Sequence, residues 1–412
     1  MQQRRNTAFY VLILGALSAV NPFSIDMYLP GFPAIARDMG TNVARIQLSL
    51  TSFFIGISFG QLLYGPLLDR YGRKKPVYIG LIIYILTSIG CALTSSSEIL
   101  IGMRFLQAIG GCAGLVAGRA MVRDLFPVSE NARVFSLLML VIAVSPMIAP
   151  TLGGYFASGL GWQAIFVFLA ALGFLILLSV FFFLPESRQP DPTFSLKPRP
   201  IIRNFWSVIK NRQFATYAFV ASISGAGMYA YISGSPDVYM NIYRVSEQHY
   251  GWIFAFIATG LITSSQINSY MLRRYTSQQI IRIALMCQSL VGLLLVLGTV
   301  AGVLNVYGMI ALMFFYLCCQ GFSFPNSSAL SLAPFGAQAG SASALMGFFQ
   351  MSVGALASGL VSVLSNNSAI PTTAVMFVCA GSGLILLLFG TRAIERRASR
   401  EQVEKQNTEM HV

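Results

Sequence analysis

Apolar residues are gathered in twelve long runs, each followed by a short polar or turn-forming break. A helix needs about 20 apolar residues to cross the hydrocarbon core of a bilayer, and the runs have that length. The pattern therefore predicts an all-α membrane protein with twelve transmembrane helices. The runs lie near residues 7–30, 44–68, 77–95, 98–118, 134–158 and 162–184 in the first half, and near 213–240, 249–271, 279–300, 306–332, 341–364 and 371–391 in the second.

The longest polar break, residues 185–212, divides six runs from six. It contains five prolines and six basic residues, a composition that resists burial and predicts an extended linker on the surface. The predicted organisation is an N-terminal six-helix bundle over residues 1–184, this linker, a C-terminal six-helix bundle over residues 213–392 and a tail over residues 393–412.

Composition agrees with a membrane protein and excludes several other classes. Hydrophobic residues make up 55% of the chain and charged residues 10%, and the mean hydropathy is +0.68, which rules out an ordinary soluble globular protein. The net charge of +13 is spread over the breaks between apolar runs, so nucleic-acid binding is not expected. All six cysteines lie inside apolar runs, where neither a disulfide framework nor a metal site is expected, and no cofactor is predicted.

Basic residues are distributed unevenly across the breaks. If the N-terminus is cytoplasmic, 23 of the 27 Lys and Arg residues fall on the inner side, whereas the outer side carries only Arg37, Arg45 and Arg244. This asymmetry predicts cytoplasmic termini and an even number of spans. A cleaved signal peptide is the alternative for the first run, because Arg4 and Arg5 precede it. An alignment of the two halves at an offset of 204 residues favours two six-helix repeats instead.

Residues 65–75, GPLLDRYGRKK, place a glycine-bracketed acid before a dense cationic turn. A cluster that only sets topology is one interpretation. The segment also resembles the loop motif between helices two and three of the major facilitator superfamily. That resemblance implies two six-helix bundles around a central cavity, with an acid that latches the cytoplasmic side. The implied gating residues are Asp69, Arg70, Gly72 and Arg73, with Arg119, Arg123 or the start of span eleven as partners.

One arginine, Arg104, lies deep within span four. A basic residue at the bilayer midplane costs about 2.5–3.5 kcal/mol even on insertion scales, so its side chain should face a wet cavity or a partner. Residues 104–111 resemble the span-four motif of the superfamily, whose arginine is implicated in proton coupling. The alternative is an arginine that snorkels or fixes helix packing.

Residues 21–30, NPFSIDMYLP, put the carboxyl group of Asp26 into the apolar helix of span one. An acid in such a helix is a functional hypothesis by default, and the alternative is an acid already solvated at the outer interface. Residues 25–30, together with Pro33, resemble the bicyclomycin-resistance (Bcr/CflA) group of drug:proton antiporters. We therefore predict that Asp26 carries the proton and that Arg104 tunes its protonation equilibrium.

Two further segments follow the antiporter pattern with one departure each. In span seven, residues 234–239 resemble the same group, but Asp237 stands where an apolar aromatic residue is more usual. Asp237 either touches outer water or attracts a cationic or hydroxyl-rich solute. In span five, residues 145–154 resemble the antiporter motif of exporters, with Ala149 at a position more often glycine. The prolines and paired glycines there permit a bend and close helix contact; the implied gating residues are Pro150, Gly153 and Gly154.

The predicted cavity has few charges and many aromatic, methionine and amide groups, which suit varied, partly apolar solutes. For each candidate taken singly, core packing is the alternative. The candidates besides Asp237 are Tyr28, Met139, Tyr229, Tyr231, Gln320, Asn326 and Gln350.

Together these features predict a proton-coupled transporter of a bacterial inner membrane, which exports a small amphipathic compound in exchange for protons by alternating access. The resemblance implies that it works as a monomer. ATP-driven transport is not expected, because the sequence has no phosphate-binding glycine-rich loop. The alternatives are a dedicated carrier of a metabolite, amino acid or siderophore, and a non-transporting membrane receptor. An enzyme is the weakest interpretation, since His249 and His411 join no catalytic constellation.

Overall fold

A computed structural model describes residues 2–193, 196–335 and 339–410. Side chains are described between residues 9 and 392, apart from positions that lie mainly within residues 128–143 and include Met139. Within these ranges the chain forms helices and turns, and it contains no strand.

The helices of the N-terminal half begin and end at the polar breaks. Asn42 and Ser96 each accept a hydrogen bond from the amide three residues ahead, at 2.8 and 3.4 Å, and so cap the helices that follow them. A 3₁₀ turn, Leu29–Gly31, follows the first helix. The helices are α1 (Gln2–Asp26), α2 (Phe32–Asp38), α3 (Val43–Tyr71), α4 (Lys74–Leu93), α5 (Ser97–Leu125), α6 (Val128–Gly159) and α7 (Gln163–Phe183).

The C-terminal half is preceded by a short helix inside the linker. Asn211 and Thr276 cap the helices that follow them by accepting from backbone amides at 3.0 and 3.3 Å. The helices are α8 (Pro198–Ile209), α9 (Arg212–Pro236), α10 (Glu247–Met271), α11 (Ser277–Val300), α12 (Val306–Leu332), α13 (Ala339–Val363) and α14 (Ile370–Met410). A π-helical turn, Asp237–Ile242, extends α9.

The expectation of an extended linker is wrong for α8. Its two prolines, Pro198 and Pro200, fall in the first turn, where a missing amide hydrogen removes no helical bond. The apolar residues that follow recur at helical spacing, and Phe205, Val208 and Ile209 belong to a hydrophobic cluster with the starts of α9 and α13. Burial of that face favours the helix despite its composition.

Twelve long helices in the described ranges coincide with the twelve predicted runs. Ten of them are long and apolar enough to cross a membrane by length and composition alone. The other two, α9 and α10, are less apolar because they carry serines, glycines and tyrosines that are buried against other helices. Both contribute to the candidate site.

The helix directions define two ends of the protein. Phe9, near the start of α1, meets Phe183 at the end of α7 with 4.9 Å between their ring centroids. The N-terminal segment and the linker therefore lie at one end, which we call the linker end. The opposite end is called the far end.

Two pairs of helices join the halves, α3 with α13 and α6 with α10. The first seam contains hydroxyl pairs, with 2.8 Å between the side-chain oxygens of Thr51 and Ser358 and 2.6 Å between those of Ser58 and Ser352. At the far end the 3₁₀ turn also packs against α9 and α10. In the described parts of the chain, α5 and α12 share no extensive contact. The halves are thus closed together at the far end.

Candidate functional site

Asp26 is the last residue of α1 and is only 4% exposed. Among the described residues, no side chain forms a hydrogen bond or an ion pair with its carboxyl group. Three tyrosines of the C-terminal half, Tyr229, Tyr231 and Tyr250, lie within electrostatic reach of it. The structure therefore places an acid without a fixed cationic partner at the boundary between the halves.

The three tyrosines form an aromatic wall opposite Asp26. Tyr229 meets Phe54 of α3 edge to face at 5.0 Å between ring centroids, so this contact also joins the halves. Tyr231 stacks on Phe254 at 5.5 Å, and its hydroxyl has no hydrogen-bond partner among the described atoms. Tyr231 and Tyr250 are fully buried, and a buried phenol hydroxyl without a partner suits a solute that carries a polar group.

Arg104 is completely buried within the N-terminal bundle. Its Nη2 donates to the carbonyl oxygen of Ser24 at 2.9 Å, and its Nη1 donates to Oε1 of Gln107 at 2.5 Å. The guanidinium carbon lies 4.1 Å from the ring centroid of Phe53 and 4.5 Å from that of Tyr28. Aromatic faces and neutral oxygens thus stabilise the charge, and none of the described carboxylates pairs with it.

The hydrogen bonds around Arg104 extend to α4. Gln107 Nε2 donates to Ser88 at 2.7 Å, and the hydroxyls of Ser24 and Tyr84 are 2.7 Å apart. Arg104, which belongs to α5, is therefore linked directly to α1 and through Gln107 to α4. Tyr28 belongs to this packed group, because its hydroxyl lies 2.8 Å from Ser49 within the N-terminal bundle.

The paired glycines of α6 permit close packing beside Asp26. A β-carbon on Gly153 would collide with the carbonyl oxygen of Met27, the residue after Asp26. A β-carbon on Gly154 would lie 2.6 Å from the carbonyl oxygen of Glu247 at the start of α10. Pro150 takes part in the same seam, since its carbonyl oxygen would lie 2.9 Å from a β-carbon on Gly251. Close approach of α6 to α1 and to α10 therefore requires these glycines.

At the linker end, the predicted gating residues form a charged network within the N-terminal half. Arg73 donates from Nη1 to Asp69 at 3.0 Å and from Nε to Asp124 at 2.7 Å. Arg188, just after α7, also binds Asp69 at 3.0 Å. The predicted partner Arg119 is exposed and has no ion pair with Asp69 among the described side chains, and the same holds for Arg123.

Glu186 joins this network by capping α4. Its two carboxylate oxygens accept hydrogen bonds from the backbone amides of Arg73 at 2.7 Å and Lys74 at 3.1 Å, where an anion complements the positive end of the helix. Gly72 makes the turn with a φ of +80°, a left-handed conformation that favours glycine. Arg70 donates to the carbonyl oxygen of Pro192.

Sequence reasoning missed Asp124, Glu186 and Arg188 as members of the network. Their signal is present as charges in the breaks after spans four and six. Their pairing depends on how the ends of α3, α5 and α7 meet, which the local pattern does not contain.

Three of the remaining cavity candidates, Gln320, Asn326 and Gln350, lie on helices of the C-terminal bundle. Gln320 accepts a hydrogen bond from Gln288 at 3.0 Å, and Asn326 donates to Asn268 at 2.6 Å, so both are tied within the C-terminal bundle. Gln350 is buried, with Nε2 lacking a partner among the described atoms. The side chain of Met139 lies outside the described residues.

Asp237 lies at the far end, in the π-helical turn. Asn241 donates to it at 2.9 Å, and it borders a cleft of about 450 Å³ that Arg37 and Arg244 also line. Asp237 thus lines a cleft at the far end.

The sequence profile of the Major Facilitator Superfamily matches residues 14–358. The chain belongs to this superfamily. It is 35% identical over 384 residues to an uncharacterized MFS-type transporter, YdgK, of Bacillus subtilis (strain 168), covering 92% of this chain and 94% of that protein. It is 32% identical over 391 residues to the bicyclomycin resistance protein homolog of Haemophilus influenzae, covering 95% and 98%.

A solved structure confirms the fold. It is the inward-facing, occupied form of a bacterial homolog of the human lysosomal transporter Spinster, with a TM-score of 0.70 and 14% identity, covering 94% of this chain and 97% of that one. The predicted fold of twelve helices in two bundles is therefore confirmed, as is the resemblance to the bicyclomycin-resistance group. The protein is a multi-pass membrane transporter of the superfamily.

Proposed function

We propose that the protein exports small amphipathic compounds across the bacterial inner membrane in exchange for protons, with Asp26 as the proton carrier. The observation that carries this proposal is the position of Asp26, buried between the halves without a cationic partner and opposite three tyrosines. The name of the Haemophilus influenzae relative, a bicyclomycin resistance protein homolog, supports a drug-like substrate.

The arrangement of the halves supports alternating access. The basic residues favour a cytoplasmic linker end, so the contacts at the far end close the side of the protein that faces away from the cytoplasm in this proposal. A carboxyl group without a fixed partner can take up a proton when the far end is open and release it when the linker end is open. Substrate binding against the tyrosine wall on proton release completes the exchange.

Arg104 and the linker-end network act on this cycle indirectly in our proposal. Arg104 holds the backbone of α1 two residues before Asp26, and so couples the position of the acid to α5. Asp69 and Arg73 hold the ends of α3, α4 and α5 together, so that the N-terminal half moves as one body when the linker end closes.

The test is proton flux from inside-out vesicles that hold a proton gradient. A panel of bicyclomycin and of cationic, neutral and zwitterionic amphipathic compounds is added, and proton release is followed with a pH-sensitive dye. We expect the wild-type protein to release protons with at least one compound and Asp26→Asn to lose that release. Glu98→Gln, an acid-to-amide change at an exposed residue that pairs with Arg45, should keep it.

Each contrary outcome identifies the part of the proposal that is wrong. Proton release that persists in Asp26→Asn would remove this residue from the mechanism. Silence across the panel, in protein shown to be correctly inserted, would instead favour a dedicated carrier of another solute. Substrate counterflow without proton movement would leave a transporter that is not coupled to protons.

A further inference from the structure

Helix α8 is docked on the C-terminal bundle by one face. Val208 is fully buried, and Phe205 and Ile209 pack in the same cluster with the starts of α9 and α13. Asn204 Nδ2 donates to Ser341 Oγ at 2.8 Å, which adds a polar link to α13. The helix therefore lies across the linker end of this bundle.

The rest of the helix surface carries an apolar pair beside a basic stripe. Ile202 is 62% exposed and Trp206 57%, and their spacing of four residues puts them on one face. Arg199, Arg203 and Lys210 are exposed and lie within about 40° of one another around the helix axis. Around the helix, the docked face is thus followed by the apolar pair and then by the three cations.

No acidic residue in the adjacent sequence balances the charge of this stripe. The sequence has no acidic residue between Asp191 and Asp237. The three cations form no ion pair with any side chain that the structure describes, and Lys210 instead lies over Trp206, 5.9 Å from the ring centroid. The three cations are therefore available to a negative charge that lies outside the described side chains.

The position of α8 indicates what supplies that charge. Only Lys210 and Asn211 separate α8 from α9, so the helix lies where the transmembrane segments leave the bilayer. A helix at this depth buries apolar side chains at the boundary of the acyl chains and places its cations among the headgroups. The cytoplasmic leaflet carries the anionic lipids, which attract such basic segments.

We propose that α8 binds anionic phospholipids, with Ile202 and Trp206 inserted at the acyl boundary and Arg199, Arg203 and Lys210 on the phosphate groups. The apolar pair beside the stripe selects a lipid over a free phosphate ion. Because α8 is docked on α13, bound lipid also holds the C-terminal bundle at a fixed depth. This inference goes beyond the proposed transport and does not depend on its substrate.

Quenching of Trp206 fluorescence tests the proposal. The protein is reconstituted in equal mixtures of phosphatidylglycerol and phosphatidylcholine, in which one lipid or the other carries brominated acyl chains that quench nearby tryptophan. The difference in emission between the protein and Trp206→Phe isolates the signal of Trp206. We expect brominated phosphatidylglycerol to quench this signal more strongly than brominated phosphatidylcholine.

A triple variant measures the contribution of the stripe. In Arg199→Gln/Arg203→Gln/Lys210→Gln the preference for phosphatidylglycerol should fall by roughly threefold or more, because each cation near an anionic surface strengthens attraction. Arg273→Gln/Arg274→Gln/Arg282→Gln removes three exposed cations from the same end but outside α8, and should keep the preference.

Two results would overturn the proposal. Equal quenching by the two brominated lipids in the parent protein would show that the headgroup charge is not recognised. Quenching of Trp206 by aqueous iodide but by neither lipid would show that the apolar pair faces water. Both readouts are taken without a transport substrate, so failure here is separate from failure of the proposed function.

Discussion

Arg104 donates a hydrogen bond of 2.9 Å to the carbonyl oxygen of Ser24, two residues before Asp26 on α1. The same guanidinium lies 4.1 Å from the ring centroid of Phe53 on α3. A buried charge of one helix therefore fixes the backbone of another immediately before the candidate proton carrier. Any movement of α1 that follows a change in Asp26 has to be shared with α5.

Replacing Arg104 by Lys keeps the charge but cannot reproduce both of its planar hydrogen bonds. Hydrogen bonds to charged groups contribute about 1.5–3 kcal/mol, so we expect the free energy of unfolding to fall by about 2 kcal/mol. We also expect about 1.4 kcal/mol of this interaction to be lost in the transition between the two open states, which would make transport about tenfold slower. Thermal unfolding in detergent and transport in vesicles measure the two effects. Arg123→Lys, at an exposed position of the same helix, is the control, and equal behaviour of the two variants would contradict the prediction.

Gly153→Ala should disturb the closed far end. The added β-carbon would collide with the carbonyl oxygen of Met27, and overpacking of this kind costs about 1–3 kcal/mol. We expect a lower unfolding temperature and a smaller population of the far-end-closed conformation, measured by the accessibility of a far-end cysteine. Gly159→Ala on the same helix is the matched control, because no atom lies within 4 Å of the position that its added β-carbon would take. A Gly153→Ala protein as stable as Gly159→Ala would show that α6 moves away at no cost.

Two arginines of the linker-end network should differ in their contribution to stability. The side chain of Arg73 is 6% exposed and contacts both Asp69 and Asp124, whereas that of Arg188 is 47% exposed and contacts Asp69 only. Breaking a buried pair costs about 3–5 kcal/mol, and an exposed one about 0–1 kcal/mol. We expect Arg73→Gln to lower the free energy of unfolding by about 3 kcal/mol and Arg188→Gln by less than about 1 kcal/mol, measured by denaturant unfolding. Similar losses for the two would mean that the network acts as a solvated cluster.

The seam between α3 and α13 should be open to cross-linking. With 2.8 Å between their hydroxyl oxygens, Thr51 and Ser358 are close enough for cysteines at both positions to form a disulfide. In a background without the native cysteines, we expect Thr51→Cys/Ser358→Cys to join the halves on oxidation. Cleavage within the linker followed by electrophoresis would detect the link.

Ser52→Cys/Ser358→Cys is the control for this cross-link. Ser52 donates to the carbonyl oxygen of Ile101 at 2.8 Å, so its side chain points to α5 and the control pair should stay unlinked. If both pairs link equally, the seam is mobile and its register is not the one described.

The sequence predicts the helices and the isolated charges far better than their pairing. Long apolar runs specify spans because the bilayer sets their length, and Asp26 and Arg104 stand out because such residues are rare within them. The bond between Glu186 and the amide of Arg73 joins residues 113 positions apart, and no local signal encodes it. The helix α8 escapes prediction because its prolines indicate an extended chain unless they are recognised as first-turn residues.

The wall around Asp26 shows the same limit. Tyr229 and Tyr231 are candidates in the sequence because they are aromatic and lie on a helix that is expected to line the cavity. The fold brings both near Asp26. Tyr28 satisfies the same criteria, yet its ring packs beneath Arg104. The face that a helix turns to the cavity depends on how the neighbouring helices pack. A helix that is apolar on all sides has no polar stripe in its sequence that would indicate this face.

The linker is anchored to both halves, and the chain between the anchors has a fixed length. Arg70 holds the carbonyl of Pro192 on the N-terminal half, and α8 from Pro198 is docked on the C-terminal half. The six steps between these anchors can span at most about 21 Å when fully extended. The segment therefore limits how far the two bundles can separate at this end. A wider opening would require one of the anchors to detach.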